Sequence, residues 1–283
     1  MKKYLRFAII LAALMCFSSQ DSMSEKEYSS PLAGQPGNSA PGFPDEFNYL
    51  WPPSARDRSP NLLWRKIQWE WKGGLVTENV WTEEKPENEL VILVDEGGRG
   101  GQINSESSSY HYGMYKASIK ASRKTESDSS DPKGVCNGFF VYWQGDSEDH
   151  FEEIDVEILS REPDYVYFTI WRGRKLFYAW REEHWIWSKK VKVRGRTDKA
   201  YHVYGFNWLP ERVEFFVDNF EEPAAVYHES DEEGQHIPSH PATLIINNWT
   251  GEKYWSGDPP GRDRKMHVEW VNHIPLLEEM NSD

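Results

Sequence analysis

Three carboxylates at alternate positions, Glu153, Asp155 and Glu157, are the strongest chemical feature of the sequence. They lie in the run Phe151–Leu159, whose apolar/acidic alternation predicts a β-strand with all three acids on one face. Acids in a row on one face repel each other, so a purely structural strand rarely keeps them without cations opposite. The pattern therefore indicates carboxylate chemistry, in which one group attacks and another transfers a proton.

One reaction that needs such a pair is the cleavage of a glycosidic bond with retention, which uses two carboxyl groups about 5–5.5 Å apart. At about 3.3 Å per residue the Cα atoms of Glu153 and Glu157 are about 13 Å apart, so the side chains must lean together across a concave sheet. Asp155 fits between them, and repulsion within the set raises the proton affinity of the acid. Two other interpretations stay open: an acidic, solvated edge strand, and a divalent-cation site.

Short runs of aromatic and β-branched residues, separated by turn-forming residues, predict the many short strands that must position these acids. The runs are Leu90–Val94, Tyr115–Ile119, Gly138–Trp143, Glu153–Ile158, Tyr165–Trp171, Tyr201–Trp208, Val213–Val217, Leu244–Trp249 and Met266–Val271. The sequence has no fixed-period repeat, which argues against propellers and solenoids. The predicted fold is all-β, a two-sheet β-sandwich jelly roll with a concave substrate cleft.

Composition and charge favour a neutral polymer as partner. The chain has 283 residues, which suits one large sandwich domain, and a formal net charge of −14, which argues against nucleic acid. Its 14 Trp exceed what a core needs, so we expect some on a wet surface where sugar rings stack. We expect a polysaccharide partner and a monomeric protein.

Residues 1–18 are predicted to be an export signal, because a basic start is followed by the apolar stretch Phe7–Phe17, which is too short to span a bilayer. The predicted location is secreted or periplasmic. A lipid anchor on Cys16 is the less favoured alternative, since Ala13-Leu14-Met15 matches a lipoprotein site poorly.

The predicted domain layout has a flexible linker at 19–45, rich in Ser, Pro and Gly, and a single folded domain at 46–283. After loss of the signal only Cys136 would remain, so no internal disulfide can support the fold. A large apolar core must do so instead.

Several segments resemble glycoside hydrolase family 16, most of all its bacterial lichenase branch, the endo-β-1,3-1,4-glucanases. They are Tyr112–Ser118, Gly138–Tyr142, Tyr201–Trp208, Phe216–Asp218, Asn247–Gly251 and the uninterrupted Glu-x-Asp-x-Glu at 153–157. The resemblance implies a concanavalin A-like catalytic domain that needs no cofactor and acts on β-linked glucan, most of all β-1,3-1,4-glucan. It also implies roles: Glu153 is the nucleophile, Asp155 the assisting carboxylate and Glu157 the acid/base.

The substrate-binding residues expected from the resemblance and from strand alternation are aromatic or polar. They are Trp249, Asn247, Trp255, Trp171, Thr169, Tyr142 and Phe151, with Trp143 as a further stacking surface. Phe151, Thr169 and Ser160 depart from the family pattern, which has Trp, Asn and Gly there. These departures leave the three acids intact and bear on sugar specificity.

Metal sites are not predicted from ligand spacing, because His202 and His150 belong to no ligand-spaced cluster and are expected to be structural or surface residues. Many family members bind a structural Ca²⁺, and Glu269 is the candidate ligand here, although no EF-hand-like loop occurs. Asn248-Trp249-Thr250 is a formal glycosylation acceptor, but alternation points Asn248 into the core.

Two other functions remain open at this level. A transglycosylase would use the same three acids and pass the glycosyl group to a sugar, and the sequence does not separate it from a hydrolase. A non-catalytic glucan-binding protein is less favoured, because all three carboxylates are retained.

Overall fold

The computed structural model describes residues 42–55, 57–70, 74–84, 88–124, 133–145, 151–173, 185–228, 236–251 and 253–276. These ranges contain 15 β-strands and one 3-10 helix, Thr77–Asn79. The strands are β1 (Phe43–Asp45), β2 (Trp64–Lys66), β3 (Val80–Glu83), β4 (Glu89–Val94), β5 (Gly101–Ser105), β6 (Gly113–Lys120), β7 (Cys136–Gln144), β8 (Phe151–Leu159), β9 (Tyr165–Gly173), β10 (Trp185–Lys192), β11 (His202–Trp208), β12 (Arg212–Val217), β13 (Ala225–His228), β14 (Thr243–Trp249) and β15 (Arg264–Pro275). The predicted signal, Cys16 and most of the predicted linker lie outside the described residues.

The strands form two antiparallel sheets packed against each other. One sheet has the order β13-β12-β11-β6-β15-β4-β3, with β1 also paired to β15. The other has the order β10-β9-β8-β7-β14-β5-β2. Spatial neighbours are often distant in sequence, as in a jelly roll. The predicted all-β two-sheet sandwich is confirmed.

The core lies between the sheets and is built by alternation along each strand. On β8, Ile154, Val156 and Ile158 are buried in it and meet apolar side chains of the other sheet. Tyr115 and Phe206 of that sheet stack with their ring centroids 4.7 Å apart. Because every second residue of β8 is committed to this core, the acidic residues between them must lie on the opposite face.

A polar link crosses the core at Asn248. Its amide nitrogen donates to the carbonyls of Ile92 and Arg264, at 2.9 and 2.8 Å, and both carbonyls belong to the other sheet. Its amide oxygen accepts from Asn137, at 2.6 Å. Asn248 has no exposed surface. The expectation that this glycosylation acceptor faces the core is therefore confirmed.

The predicted end of the linker at residue 45 is wrong. Phe43–Asp45 pairs with β15, and Phe43 is buried in the core. Asp45 accepts hydrogen bonds from the indole of Trp64, at 2.7 Å, and from the hydroxyl of Tyr49, at 3.0 Å. A Pro-rich composition suggested a linker, but contacts with distant residues hold these three residues in the sheet.

Candidate active site

Glu153, Asp155 and Glu157, called the trio below, lie on β8 between β7 and β9, on the face of the sheet that points away from the core. We call this surface the trio face. The three side chains are 5%, 4% and 8% exposed. Their cross-strand neighbours are Tyr142 and Trp171 for Glu153, Phe140 and Thr169 for Asp155, and Gly138 and Tyr167 for Glu157. The predicted same-face arrangement of the acids is confirmed.

Asp155 is hydrogen-bonded to Glu153 and to the indole of Trp171. Burial, followed by the negative charges of Glu153 and Glu157, raises the pKa of Asp155 well above its ordinary value. A protonated Asp155 donates to Glu153 and stabilises that carboxylate in its ionised form. The pair therefore has the donor and the acceptor that a supported nucleophile needs.

The buried charge of Glu153 is only partly compensated. Burial raises its pKa to about 8, the hydrogen bond of Asp155 lowers it, and the charge of Glu157 raises it. Its Oε2 is buried and has no hydrogen-bond partner among the described residues. An unsatisfied buried carboxylate oxygen is costly for stability, so ionisation of Glu153 depends on the hydrogen bond from Asp155.

Glu157 is held by two donors at one oxygen. The indole nitrogen of Trp255 donates to Oε1 at 3.0 Å, and the thiol of Cys136 lies 3.4 Å from the same atom. Burial raises the pKa of Glu157 to about 7, although both hydrogen bonds lower it. A carboxyl group with a pKa near 7 can give and take a proton at neutral pH.

Aromatic side chains form the wall of the trio face. Tyr142 and Phe151 are buried and stack on each other, with centroids 6.2 Å apart. Trp171 and Trp255 are only 2% exposed, and each is hydrogen-bonded to a trio carboxylate. Trp249 is half-buried beside this cluster, so it offers ring surface to a ligand.

Asn247 supplies a polar group next to Glu157. Its amide nitrogen donates to Gln102 at 3.3 Å, and its Oδ1 is buried without a hydrogen-bond partner in the described part of the chain. Gly138 lies between Glu157 and Asn247, and a Cβ there would come within 2.5 Å of that Oδ1. The glycine therefore leaves room for this oxygen, which any larger residue at position 138 would crowd.

Two residues that were expected to contact substrate, Trp143 and Thr169, present no free surface on the trio face. Trp143 packs against the core and stacks on His240 with centroids 3.8 Å apart, so it lies opposite the trio face. The reason is alternation, which separates Trp143 from Tyr142. Thr169 does lie beside Asp155, but it has no exposed surface and its hydroxyl is 3.3 Å from that of Ser188.

The model of glycosyl hydrolases family 16 matches residues 64–272 of this chain. That range includes the trio and every predicted substrate-binding residue. The chain belongs to glycosyl hydrolase family 16. The family resemblance drawn from the sequence motifs is thereby confirmed.

Relatives of this family-16 protein carry beta-glucanase names. A "Xylanase/beta-glucanase" of Ruminococcus flavefaciens is 28% identical over 183 residues, which cover 62% of this chain and 19% of that protein. A "Beta-glucanase" of Acetivibrio thermocellus is 25% identical over 223 residues, 74% of this chain and 59% of that protein. The chain thus spans less than two thirds of the length of these relatives.

Solved structures agree on the fold. A beta-glucanase of Bacillus licheniformis aligns with a TM-score of 0.65 and 20% identity, covering 84% of this chain and 100% of that one. A family-16 endo-glucanase of Bacteroides ovatus aligns with a TM-score of 0.63 and 19% identity, covering 82% and 99%. At these identities the likeness establishes the sandwich alone.

Glu269, the candidate metal ligand of this family-16 domain, lies on β15. Glu269 accepts a hydrogen bond from the hydroxyl of Ser118 at 2.6 Å. Within the described ranges no three His, Cys, Asp or Glu side chains converge as metal ligands. His202 is bound to Asp218, at 2.8 Å, which confirms its structural role, and His150 lies outside the described residues.

Sequence reasoning missed three residues of the site: Cys136, Gly138 and Gln102. Cys136 and Gly138 share the parity of Tyr142 on β7, so alternation alone could have placed them on the trio face. Gln102 lies on β5, a strand that the hydrophobic pattern did not reveal. Its place beside Asn247 depends on cross-strand register.

Proposed function

We propose that this family-16 protein is a retaining endo-glycosidase that hydrolyses β-linked glucan, with β-1,3-1,4-glucan as its substrate. The observation that carries the proposal is the buried trio, in which Asp155 supports Glu153 while Trp255 and Cys136 hold Glu157. Two carboxyl groups with separate partners can take the two roles that retention requires.

In the first step, a carboxylate oxygen of Glu153 attacks the anomeric carbon and forms a glycosyl ester. The bond from that carbon to the leaving oxygen breaks, and Glu157 transfers its proton to this oxygen. Asp155 stays hydrogen-bonded to Glu153 and offsets the change of charge there.

In the second step, water attacks the same carbon and gives its proton to Glu157. The ester bond to Glu153 breaks, so both carboxyl groups return to their starting states. Two inversions at one carbon give net retention.

The lining of the trio face favours an uncharged sugar chain. Trp249 offers an apolar ring, and Asn247 and Gln102 beside it are uncharged amides. The beta-glucanase names of the relatives support a glucan. Product analysis with barley mixed-linkage glucan, laminarin, agarose and xyloglucan tests this choice, and cleavage of agarose alone would reject it.

The division of labour is tested by chemical rescue of two alanine variants. With a dinitrophenyl glycoside, which needs no proton for departure, Glu157→Ala plus azide should release a glycosyl azide of retained configuration. Glu153→Ala has no nucleophile, so azide should attack directly and give the inverted product. Proton NMR of the products in the opposite assignment would reverse the roles, and full activity of both variants would remove the trio from catalysis.

We also propose export of the protein to the periplasm or the medium, on the basis of the basic and apolar start of the sequence. Among the described residues no helix combines the length and apolarity needed to cross a membrane. Mass spectrometry of the mature N-terminus tests the proposal, and an intact Met1 in the cytoplasmic fraction would contradict it.

A further inference from the structure

A basic cavity lies on the surface of the sandwich, apart from the trio face. Its volume is about 870 Å³, within the range of about 300–1,000 Å³ that is common for small-molecule sites. Seven of its lining side chains are cationic: Arg123, Lys124, Lys133, Arg196, Lys199, Arg262 and Arg264. Such a concentration of positive charge is unexpected in a chain whose net charge is −14.

Four of the cations that line this cavity have no carboxylate partner among the described residues. In the described part of the chain, Arg123, Lys133, Lys199 and Arg262 form no ion pair within 4.0 Å. The chain has more acidic than basic residues, so carboxylates are available to pair with most exposed cations. Among the described residues, the positive charges of these four side chains are therefore left for a ligand.

Asp198, the carboxylate that lines the cavity, is already engaged. It accepts two hydrogen bonds from Arg196, both at 2.8 Å, and one from the backbone of Lys124, at 3.1 Å. Burial and the charge of Arg262 lower the pKa of Arg264 below its ordinary value, although the charge of Asp263 raises it. The two guanidinium groups repel each other, and an anion bound between them would reduce this repulsion.

The cavity is joined to the trio face by one loop. Trp255, whose indole holds Glu157, is followed by Asp258, whose carbonyl accepts from the backbone of Gly134 next to Lys133. The same loop then supplies Arg262 and Arg264. The loop that begins at Trp255, on the trio face, therefore leads directly to the arginines of the basic cavity.

We propose that the basic cavity binds an anionic sugar residue, bearing a sulfate ester or a carboxylate, of a polysaccharide. The guanidinium groups of Arg123, Arg262 and Arg264 can bind such oxyanions in bidentate fashion, and the lysines add point charges. A cavity of this volume suits one charged sugar, whereas the net charge of −14 repels an extended nucleic acid. This is a second binding site, distinct from the hydrolysis proposed above.

The test is a binding titration of the full chain, by calorimetry at low salt, with five probes. They are a dextran sulfate oligosaccharide, a polygalacturonate oligomer, uncharged dextran, sodium sulfate and a DNA oligomer. The test variant is Lys133→Gln/Lys199→Gln/Arg262→Gln. The matched control, Lys189→Gln/Lys192→Gln/Arg212→Gln, removes the same charge outside the cavity lining.

We expect the charged oligosaccharides to bind more tightly than dextran, with an affinity that falls as salt rises. The test variant should bind them at least about tenfold more weakly, and the control should match the unaltered protein. Arg262→Gln alone, at an exposed position, should weaken binding several-fold and checks that lost folding is not the cause.

Equal binding by the test variant, or no binding by the unaltered protein, would overturn the proposal. So would sodium sulfate binding as tightly as the oligosaccharides, since the cavity would then take inorganic anions only, or tighter binding of a DNA oligomer. Hydrolysis of neutral glucan, measured in parallel, should be the same in all variants. Its absence in every variant would reject the proposed hydrolase and leave the binding result valid.

Discussion

Glu152 and Glu153 are adjacent on β8 and almost equally buried, at 3% and 5% exposed, yet their surroundings differ completely. Glu152 pairs with Arg172 at 2.9 Å and accepts from the backbone nitrogens of Ser239 and His240, at 2.5 and 2.9 Å. Glu153 faces two other acids, and one of its oxygens has no hydrogen-bond partner in the part of the chain that the structure describes. One strand thus carries a carboxylate that stabilises the fold beside one that costs stability and is free to react.

The largest expected effect is on catalysis, from Glu153→Gln. Removal of the attacking carboxylate should lower kcat for glucan hydrolysis by about 10⁴-fold or more, since the intermediate can no longer form. Steady-state kinetics on mixed-linkage glucan measure it. Glu152→Gln is the matched control, and a similar loss in that variant would contradict the contrast between the two residues.

The next effect is on stability, from Glu152→Gln. Loss of its charge leaves Arg172 without its partner and weakens two backbone hydrogen bonds, so we expect a loss of about 2–4 kcal/mol in the free energy of unfolding. Urea denaturation followed by Trp fluorescence measures it. An unchanged midpoint would show that the ion pair contributes nothing.

Asp45 extends the comparison, because it is another buried carboxylate that is fully supplied with donors. A chain that begins at residue 46 should be about 2–3 kcal/mol less stable than one that begins at residue 42, since it lacks β1 and leaves the indole of Trp64 unpaired. Thermal melting of the two truncated chains decides it. Equal midpoints would restore 45 as the end of the linker.

The free-energy cost of burying Glu153 in the folded protein should depend on pH. Its pKa is about 8 in the folded protein and 4.5 ordinarily, so its contribution to stability is fully present below about 4.5 and is lost as pH rises through about 8. Glu153→Gln should therefore match the unaltered protein near pH 4 and exceed it by about 1–3 kcal/mol near pH 8.5. A difference that does not grow with pH would show that Glu153 is not destabilised by burial.

The smallest effect concerns the donors of Glu157. Trp255→Phe removes a hydrogen bond that lowers the pKa of Glu157, so the basic limb of the kcat profile should move up by about one pH unit. Trp249→Phe is the control, and it should alter KM more than the position of this limb. A limb that does not move would separate Trp255 from the acid/base.

The local sequence pattern was sufficient to predict those features of the site that depend on one strand. Alternation along β8 places the trio on one face, and the core on the other, without knowledge of any other strand. The family motifs added the order of roles. They did not indicate that Trp171 and Trp255 hold carboxylates, because this depends on how far each indole reaches into the cluster.

Contacts between distant segments could not be predicted from the local sequence pattern. Phe43 and Asp45 look like linker residues until Trp64 and β15 are brought against them. The cations of the basic cavity are scattered from Arg123 to Arg264, and only the folded chain gathers them. Such juxtapositions are set by strand order and register, which no single segment encodes.

The link at Asn248 has a consequence for how the two sheets can move. Apolar contact between sheets is non-directional and resists sliding weakly, whereas hydrogen bonds to the carbonyls of Ile92 and Arg264 have defined directions. These hydrogen bonds oppose sliding of one sheet over the other in the middle of the sandwich. Because Asn247 and Trp249 are neighbours of Asn248 on β14, they keep their alignment with the trio even when the edges of the sheets flex.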